Sequence, residues 1–390
     1  MKRKKSVKAS VAVMACLLAI SSSGFQVLAA DNPVVPVRST SQTQMQSEPE
    51  MVYVNAVENP SERSLNFNDN WKFNLGDIKG AEAKGFDDSK WENVSVPHDY
   101  SIIQDYQENL EAESGYLPGG AGWYRKYFTV SEEMKDKRLR IDFDGVYMNA
   151  TVYVNGQELG THPFGYTPFS FDITDEVKVG EENVIAVKVD HKTPSSRWYS
   201  GSGIYRNVHL SVTDAVHVDL YGQKIETPKL KEQAGKNVTM KVDTTVVNEA
   251  EEKASVTVKH TVFVKGKENE KIAEAEGNAV EIAAGASQVI ESEFGTTSAP
   301  ALWSVKSPSL YTVRTEVKAG NQVLDVVEED YGFRWFEMDK DTGASLNGEA
   351  IKLKGVCMHH DQGSLGSAAY RRAIERQVEI LQEMGANSIL

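Results

Sequence analysis

From Leu65 to Val317 the apolar residues come in short runs that alternate with polar ones and stop at Gly, Asn or Asp, a period of two that favours β-structure. Leu139, Ile141 and Phe143 alternate with charged partners, Val152 and Val154 frame Tyr153, and Val184 to Val189 follows a Gly-Glu-Glu-Asn turn. Successive side chains of an extended chain point to opposite faces, so each run has one face for a core and one for water. Asn155-Gly156 sits between two such runs, and both residues tolerate the positive φ of a tight hairpin turn. Eight or so runs between Glu62 and Val212 predict an antiparallel sandwich of jelly-roll type over residues 59–215.

The character changes after that. Lys, Glu and Val dominate from Val216 to Asp330 and aromatics become sparse. Runs at Val238–Val242, Ala254–Val262, Val289–Glu291 and Leu310–Val317 fit an immunoglobulin-like sandwich over residues 216–332, without the cysteine pair of antibody domains. Its plain chemistry suggests a spacer. Residues 333–390 switch again. A hairpin is expected at Asn347-Gly348, then a strand ending near Gly355. Ile374, Val378 and Leu381 form the stripe of an amphipathic helix closed by Gly385, and Ala386 to Leu390 begins another strand. That β-loop-α-β order opens a parallel α/β domain, whose sheet needs both faces covered, so the chain reads as the front of something longer. The fold class expected is therefore mainly β: a jelly roll, an immunoglobulin-like sandwich and the first βα unit of a truncated (β/α)8 barrel.

Length agrees, since 390 residues exceed what one core usually holds. The formal charge of −14 would repel a phosphate backbone and argues against a nucleic-acid partner. Lys2, Arg3, Lys4, Lys5 and Lys8 precede the small and apolar run Val11 to Ile20, and Val27-Leu28-Ala29 offers small residues for cleavage, the pattern of a secretory signal over residues 1–29. The run is too short for a membrane span. Cleavage would take five of the 42 basic residues and none of the 56 acidic ones, leaving a secreted chain at −19. It would also take Cys16, leaving Cys357 with no partner for a disulfide. Residues 30–58 mix Pro, Ser, Thr and Gln and read as a disordered linker.

Four segments concentrate chemistry. Met358-His359-His360-Asp361-Gln362-Gly363 follows the strand at Gly355, and strand C-termini face the active site in β/α barrels. As metal ligands His359, His360 and Asp361 are poorly placed, because consecutive side chains diverge and no second ligand cluster is visible. Val96–Tyr100, Gly115–Lys126 and Ser195–Arg206 combine aromatics and charged donors with Gly-rich turns, which suits a sugar that stacks on a ring and hydrogen-bonds through its hydroxyls. Trp123 and Trp198 each also fit a packing role.

In order and spacing these segments resemble glycoside hydrolase family 2, particularly its β-galactosidase branch, over nearly the whole chain that follows the signal. The tightest matches are Gly203-Ile204-Tyr205-Arg206, Leu117-Pro118-Gly119-Gly120 through Trp123-Tyr124-Arg125, and Lys354 to Asp361 followed by Arg371-Arg372 and Glu379-Ile380-Leu381. The resemblance implies retaining hydrolysis of a terminal β-galactoside by two carboxyl groups roughly 5–5.5 Å apart. In the family both belong to later barrel strands, so residues 1–390 alone are expected to be inactive. The family normally continues past the Asn-Ser-Ile strand with Arg, whereas here Ile389 is followed by Leu390 and the end, which reads as a fragment or an interrupted gene.

By the same resemblance His359 is expected to contact the sugar, with Asp99 and Arg197 reaching it from jelly-roll loops and His360, Asp361 and Trp198 as further substrate-binding residues. The expected partner is a β-galactoside oligosaccharide or glycan. Some relatives hold Mg²⁺ or Na⁺ near the catalytic acid, mostly through barrel residues, so no cofactor is assigned. The alternatives are a non-catalytic carbohydrate-binding or adhesion protein, and a β-glucuronidase or β-mannosidase of the same family. A binding module would have no need of Ile351 to Leu390.

Overall fold

The computed structural model describes residues 51–390 apart from Ala56 and Glu58. The expected signal and most of the expected linker lie outside the described residues. The end of that linker is structured: Val52–Val54 forms strand β1, with Val54 in the core, and runs parallel to Phe128–Val130. Three alternating residues are too short a pattern to stand out beside a Pro- and Ser-rich stretch.

The first sandwich continues with β2 (Ser64–Asn66), β3 (Trp71–Leu75), β4 (Glu92–Val94), β5 (Gly120–Val130), β6 (Arg138–Phe143), β7 (Ala150–Val154), β8 (Gln157–His162), β9 (Phe169–Asp172), β10 (Glu182–His191) and β11 (Val208–Thr213). One sheet has the order β4-β3-β5-β10-β7-β8 with β1 on β5, and the other β2-β11-β6-β9. The alternation sets the packing. Phe73, Tyr124, Phe128, Val152 and Val187 meet Leu139, Ile141, Phe143, Val208 and Leu210 between the sheets. Each such side chain contributes about 1.5–3 kcal/mol when fully buried. The hairpin turns at Asn155 (φ 51°) and Gly156 (φ 89°), as its sequence requires.

β5 is buried on both faces. Tyr124 enters the core, while Trp123 packs under Trp91 and Ala81, and the Arg125 Nε donates to Asp88 Oδ2 at 2.7 Å beneath the same cover. The Leu117 to Arg125 segment, grouped by sequence with the sugar-type loops, thus carries structural residues at Trp123 and Arg125.

The second sandwich holds β12 (Val216–Glu226), the helical turn α1 (Leu230–Gln233), β13 (Thr239–Asn248), β14 (Ala254–Val264), β15 (Lys267–Glu276), β16 (Val280–Ile282), β17 (Ala286–Gly295), β18 (Tyr311–Ala319) and β19 (Gln322–Tyr331). Its sheets are β12-β13-β17 and β15-β14-β18-β19, with β16 on β14. Phe333 is fully buried in this core with Trp335 against it, so the second sandwich's packing extends past the boundary drawn at residue 332. The alternation had already stopped there, leaving those two rings nothing to mark their allegiance.

The remaining elements are the meander β20 (Phe336–Asp339), β21 (Gly343–Leu346) and β22 (Glu349–Ala350), then β23 (Gly355–Val356), helix α2 (Arg371–Glu383) and β24 (Ser388–Ile389). β23 and β24 pair in parallel, Gly355 with Ser388 and Val356 with Ile389. The α2 stripe is not buried: Val378 and Ile380 are exposed and Ile374 and Leu381 only half covered. Among the described residues no helix is long and apolar enough to cross a membrane.

Burial also sets a pH response. His191, His217 and His260 are buried and His98 half-buried, and desolvation pushes each imidazole down to about 4. The fold therefore binds fewer protons than the unfolded chain between about pH 4 and 6.5. This contribution is intact above pH 6.5 and is lost as the pH falls toward 4. His260, fully buried between Thr315 and Ser292, isolates the effect. In urea unfolding followed from pH 7 to 4, His260→Gln should lose about 3 kcal/mol less stability than the parent. Parallel losses in the two proteins would show that His260 is protonated within the fold.

Candidate functional site

The segment around Asp99 is laid against residues 202–204, where His98 N donates to Ile204 O at 2.8 Å and Tyr100 N to Ser202 O at 2.9 Å. Asp99 is only 3% exposed. Its Oδ1 accepts from the backbone N–H of Ser101 and of Ser202, both at 2.9 Å. Its Oδ2 accepts from Tyr199 Oη at 2.5 Å, Ser367 N at 2.8 Å and Ser367 Oγ at 3.1 Å. A carboxylate offers about four lone-pair sites, so five donors saturate it. Burial, and then the Asp99 charge, raise the Tyr199 hydroxyl pKa and keep it a donor.

Two glycines permit this convergence. A Cβ on Gly201 (φ 67°) would lie 1.9 Å from Ser367 Oγ, and one on Gly366 (φ 60°) 2.2 Å from Asp99 Oδ2. Both positions combine positive φ with backbone close to a neighbour, which any side chain would forbid.

The same clamp places the histidines. Ala369 N donates to Tyr205 O at 2.9 Å, and His360 Nε2 lies 3.1 Å from Ser200 O, so that nitrogen carries the proton. Burial lowers the His360 pKa, against the opposing pull of the Ser200 carbonyl and Asp361. Its ring meets Tyr166 edge-on at 5.6 Å and Tyr205 at 5.6 Å. Trp198 Nε1 donates to Tyr166 Oη at 3.0 Å, and the His359 ring stands edge-on to Trp198 at 5.3 Å and 88°. Together Tyr166, Trp198, Cys357, Met358, His359 and His360 line an open cavity of about 500 Å³. A second one of about 600 Å³ shares Tyr166 and Trp198 and adds Phe164, Ser195 and Arg197. Rings held in place beside the side chains of His359 and Arg197, unbonded among the described residues, fit a hexose, with stacking on its C–H face and hydrogen bonds to its hydroxyls. Neither lining contains Asp or Glu, so these side chains can bind and orient but have no carboxyl group to transfer a proton.

Of the residues singled out by sequence, Trp198, His359 and His360 come together at the first cavity. Arg197 lines the second, exposed and with no ion pair or hydrogen bond among the described residues. Asp361 is exposed and lies outside both linings. Asp99 was expected to touch substrate, but its acceptors are spent on Ser101, Tyr199, Ser202 and Ser367, and it acts by positioning those segments. Tyr166 and Phe164 were missed. The signal was there in Pro163-Phe164-Gly165-Tyr166, the same aromatic and Gly chemistry as in the loops chosen. Among the described residues no three His, Cys, Asp or Glu side chains converge to hold a metal ion.

Comparison with known proteins adds to this geometry. The profile of the glycosyl hydrolases family 2 sugar binding domain matches residues 63–214, and that of glycosyl hydrolases family 2 matches residues 218–334. The chain is 44% identical over 333 residues to the β-galactosidase BoGH2A of Bacteroides ovatus, an alignment covering 85% of this chain and 38% of that protein. It is 37% identical over 331 residues to a putative β-glucuronidase of Formosa agariphila, covering 83% and 30%. The crystal structure of a glycosyl hydrolase family 2 member from Bacteroides cellulosilyticus superposes with a TM-score of 0.78 at 35% identity, over 84% of this chain and 44% of that one. The chain thus spans less than half the length of each of these relatives.

Asp99→Ala would strand five donors, three of them backbone N–H groups, and should cost about 3–5 kcal/mol in urea unfolding. It should also expose the 357–369 loop to limited proteolysis. A loss below about 0.5 kcal/mol, which is ordinary for a surface substitution, would show that the donors find other partners.

Proposed function

The chain belongs to glycosyl hydrolase family 2, and on that premise we propose that it forms the sugar-facing front of a secreted, retaining β-glycosidase that takes terminal β-galactosides. One observation carries the reading. An open cavity of about 500 Å³, roomy enough for a hexose and lined by rings and imidazoles, is assembled jointly by the jelly-roll loops and the loop after β23, and its lining includes no Asp or Glu side chain. Retaining hydrolysis needs two carboxyl groups, one to protonate the leaving oxygen and one to attack the anomeric carbon. In this reading they come from barrel strands outside residues 1–390, so this chain contributes binding and orientation.

The roles follow from the geometry. His360 has its Nε2 proton on Ser200 O and serves as a fixed wall. His359 is exposed and keeps its ring nitrogens for a sugar hydroxyl, while Trp198, held by Tyr166, offers an apolar face. The first cavity has no cation in its lining, which suits an uncharged galactosyl unit. A uronate would seek a charge-assisted partner. Arg197 next door supports a second reading, a β-glucuronide, and several relatives carry the β-glucuronidase name. The basic and apolar N-terminal pattern supports secretion.

The test is hydrolysis of 4-nitrophenyl β-galactoside and β-glucuronide by the whole protein. The galactoside should be preferred, residues 30–390 alone should give only background, and His359→Ala in the whole protein should lower kcat/KM by about a hundredfold if it holds the sugar in the transition state. Preference for the glucuronide would overturn the galactoside assignment, a change below about threefold would remove His359 from the site, and turnover by residues 30–390 would refute the division of labour.

A further inference from the structure

A third cavity, a crevice of about 620 Å³, shares no residue with the two around Trp198. One wall is the outer face of the β2-β11-β6-β9 sheet, and the other is built from β12 and β19 of the second sandwich. The alternation that sends Leu139, Ile141 and Leu210 into the core sends Arg140, Asp142, His209 and Ser211 out to this face. They lie opposite one another across the strands, His209 by Asp142 and Ser211 by Arg140. Arg140 Nε donates to Asp142 Oδ1 at 2.6 Å, Ser211 Oγ donates to Asp142 Oδ2, and His209 Nε2 lies 3.5 Å from Asp144 Oδ2.

The facing wall carries Tyr221. It lies where the β12-β13 register shifts between Val218 and Gln223, its φ is +54°, and it is 78% exposed. A non-glycine residue in that region costs of order 1–3 kcal/mol, and a ring left so open returns little of it through burial. Folding alone gives no account of an aromatic residue there. What it provides is a ring lining the same crevice as a row of fixed donors and acceptors, the combination that binds a sugar. Arg140, Asp142 and Ser211 bond one another through Arg140 Nε and Nη2, which leaves the Arg140 Nη1 donors and the second lone pair of Asp142 Oδ1 side by side for vicinal hydroxyls.

Charge narrows the ligand. Of the carboxylates lining the crevice, Asp142, Glu328 and Asp330 are paired with Arg140, Arg314 and Lys265, while Asp144, Asp219 and Glu329 have no Lys or Arg partner among the described residues and the remaining lining cation, Arg63, is spent on Asp325. An anionic sugar would meet an excess of carboxylates. We propose that this crevice is a second saccharide site, which holds a neutral hexose unit of a glycan on Tyr221 and the Arg140–Asp142–Ser211 row, apart from the Trp198 cavity.

Calorimetric titration of the 390-residue chain, which holds both cavities and in the reading above does not cleave the probes, with β-1,4-galactotriose and with cellotriose, and with trigalacturonate as the anionic control, tests it. Tyr221→Asn removes the ring yet keeps a residue that tolerates positive φ, so the variant should melt at or above the parent temperature. At least one neutral trisaccharide should bind, Tyr221→Asn should weaken it tenfold or more, and trigalacturonate should bind at least tenfold more weakly. In a Trp198→Ala background the Tyr221-dependent binding should persist, and His209→Ala, on the opposite wall, should weaken it threefold or more. Binding unaffected by Tyr221→Asn and His209→Ala, binding lost only with Trp198, no binding of either neutral probe at millimolar concentration, or preference for the uronate would each overturn the proposal.

Discussion

Everything at the candidate site depends on one buried carboxylate. Taking Asp99 out of water carries a penalty of several kcal/mol, offset only if its oxygens find donors in good geometry. Apart from Ser101 beside it, the donors come from segments distant in sequence: Tyr199 and Ser202 a hundred residues on, and Ser367 beyond the second sandwich. Their hydrogen bonds are coupled through a single side chain. Moving the 357–369 loop relative to the jelly roll would leave a buried charge short of partners, so the alternatives to the observed arrangement are expensive.

The position of the rings follows. With Ser367 and Ala369 tied down, the loop from β23 must pass the 198–206 segment, and His360 finds Ser200 O within reach. His359, its neighbour, then diverges from it and stands against Trp198. A sugar entering this cavity meets groups already fixed by packing and hydrogen bonds, which is what lets binding energy be used for orientation. In the reading proposed above, the division of labour is chemical as well as spatial: rings and imidazoles align an anomeric centre, while the charge development of bond cleavage calls for carboxyl side chains, which the lining does not include.

How much of this was legible depended on whether the deciding force was local. The period of two along β6, β10, β13 and β18 reports directly on which face is buried, so both sandwiches could be read from the chain, as could the hairpin at Asn155-Gly156 and the C-cap at Gly385. Trp198, His359 and His360 stood out because rings and imidazoles among glycines are unusual. Asp99 was noticed but misjudged: nothing near it reveals that Tyr199 and Ser367 will fold onto it, and a saturated carboxylate looks the same in sequence as a free one. Val52–Val54 and Phe333 failed for the opposite reason, since their places are set by distant neighbours, β5 for one and Tyr311 and Tyr331 for the other. Tyr221 sits inside a strand whose alternation conceals the bulge.

That bulge also changes the reading of the second sandwich as a spacer. Asp325 on β19 is 1% exposed, and its Oδ2 accepts from Arg63 Nη1 at 2.5 Å and from Val218 N at 2.8 Å, while the Arg63 guanidinium also donates to Val218 O. Burial raises the Asp325 pKa and the Arg63 charge opposes it. Removing one partner of such a pair typically costs about 3–5 kcal/mol, because the other charge stays buried alone. Arg63 adjoins β2 at the edge of the jelly-roll sheet, and Val218 is the last β12 residue paired before the bulge. The ion pair therefore fixes the bulge against the sheet face, and with it the distance between Tyr221 and the Arg140–Asp142 row. A freely hinged spacer would let that crevice open and close, whereas here the same buried pair that joins the sandwiches holds its walls in register.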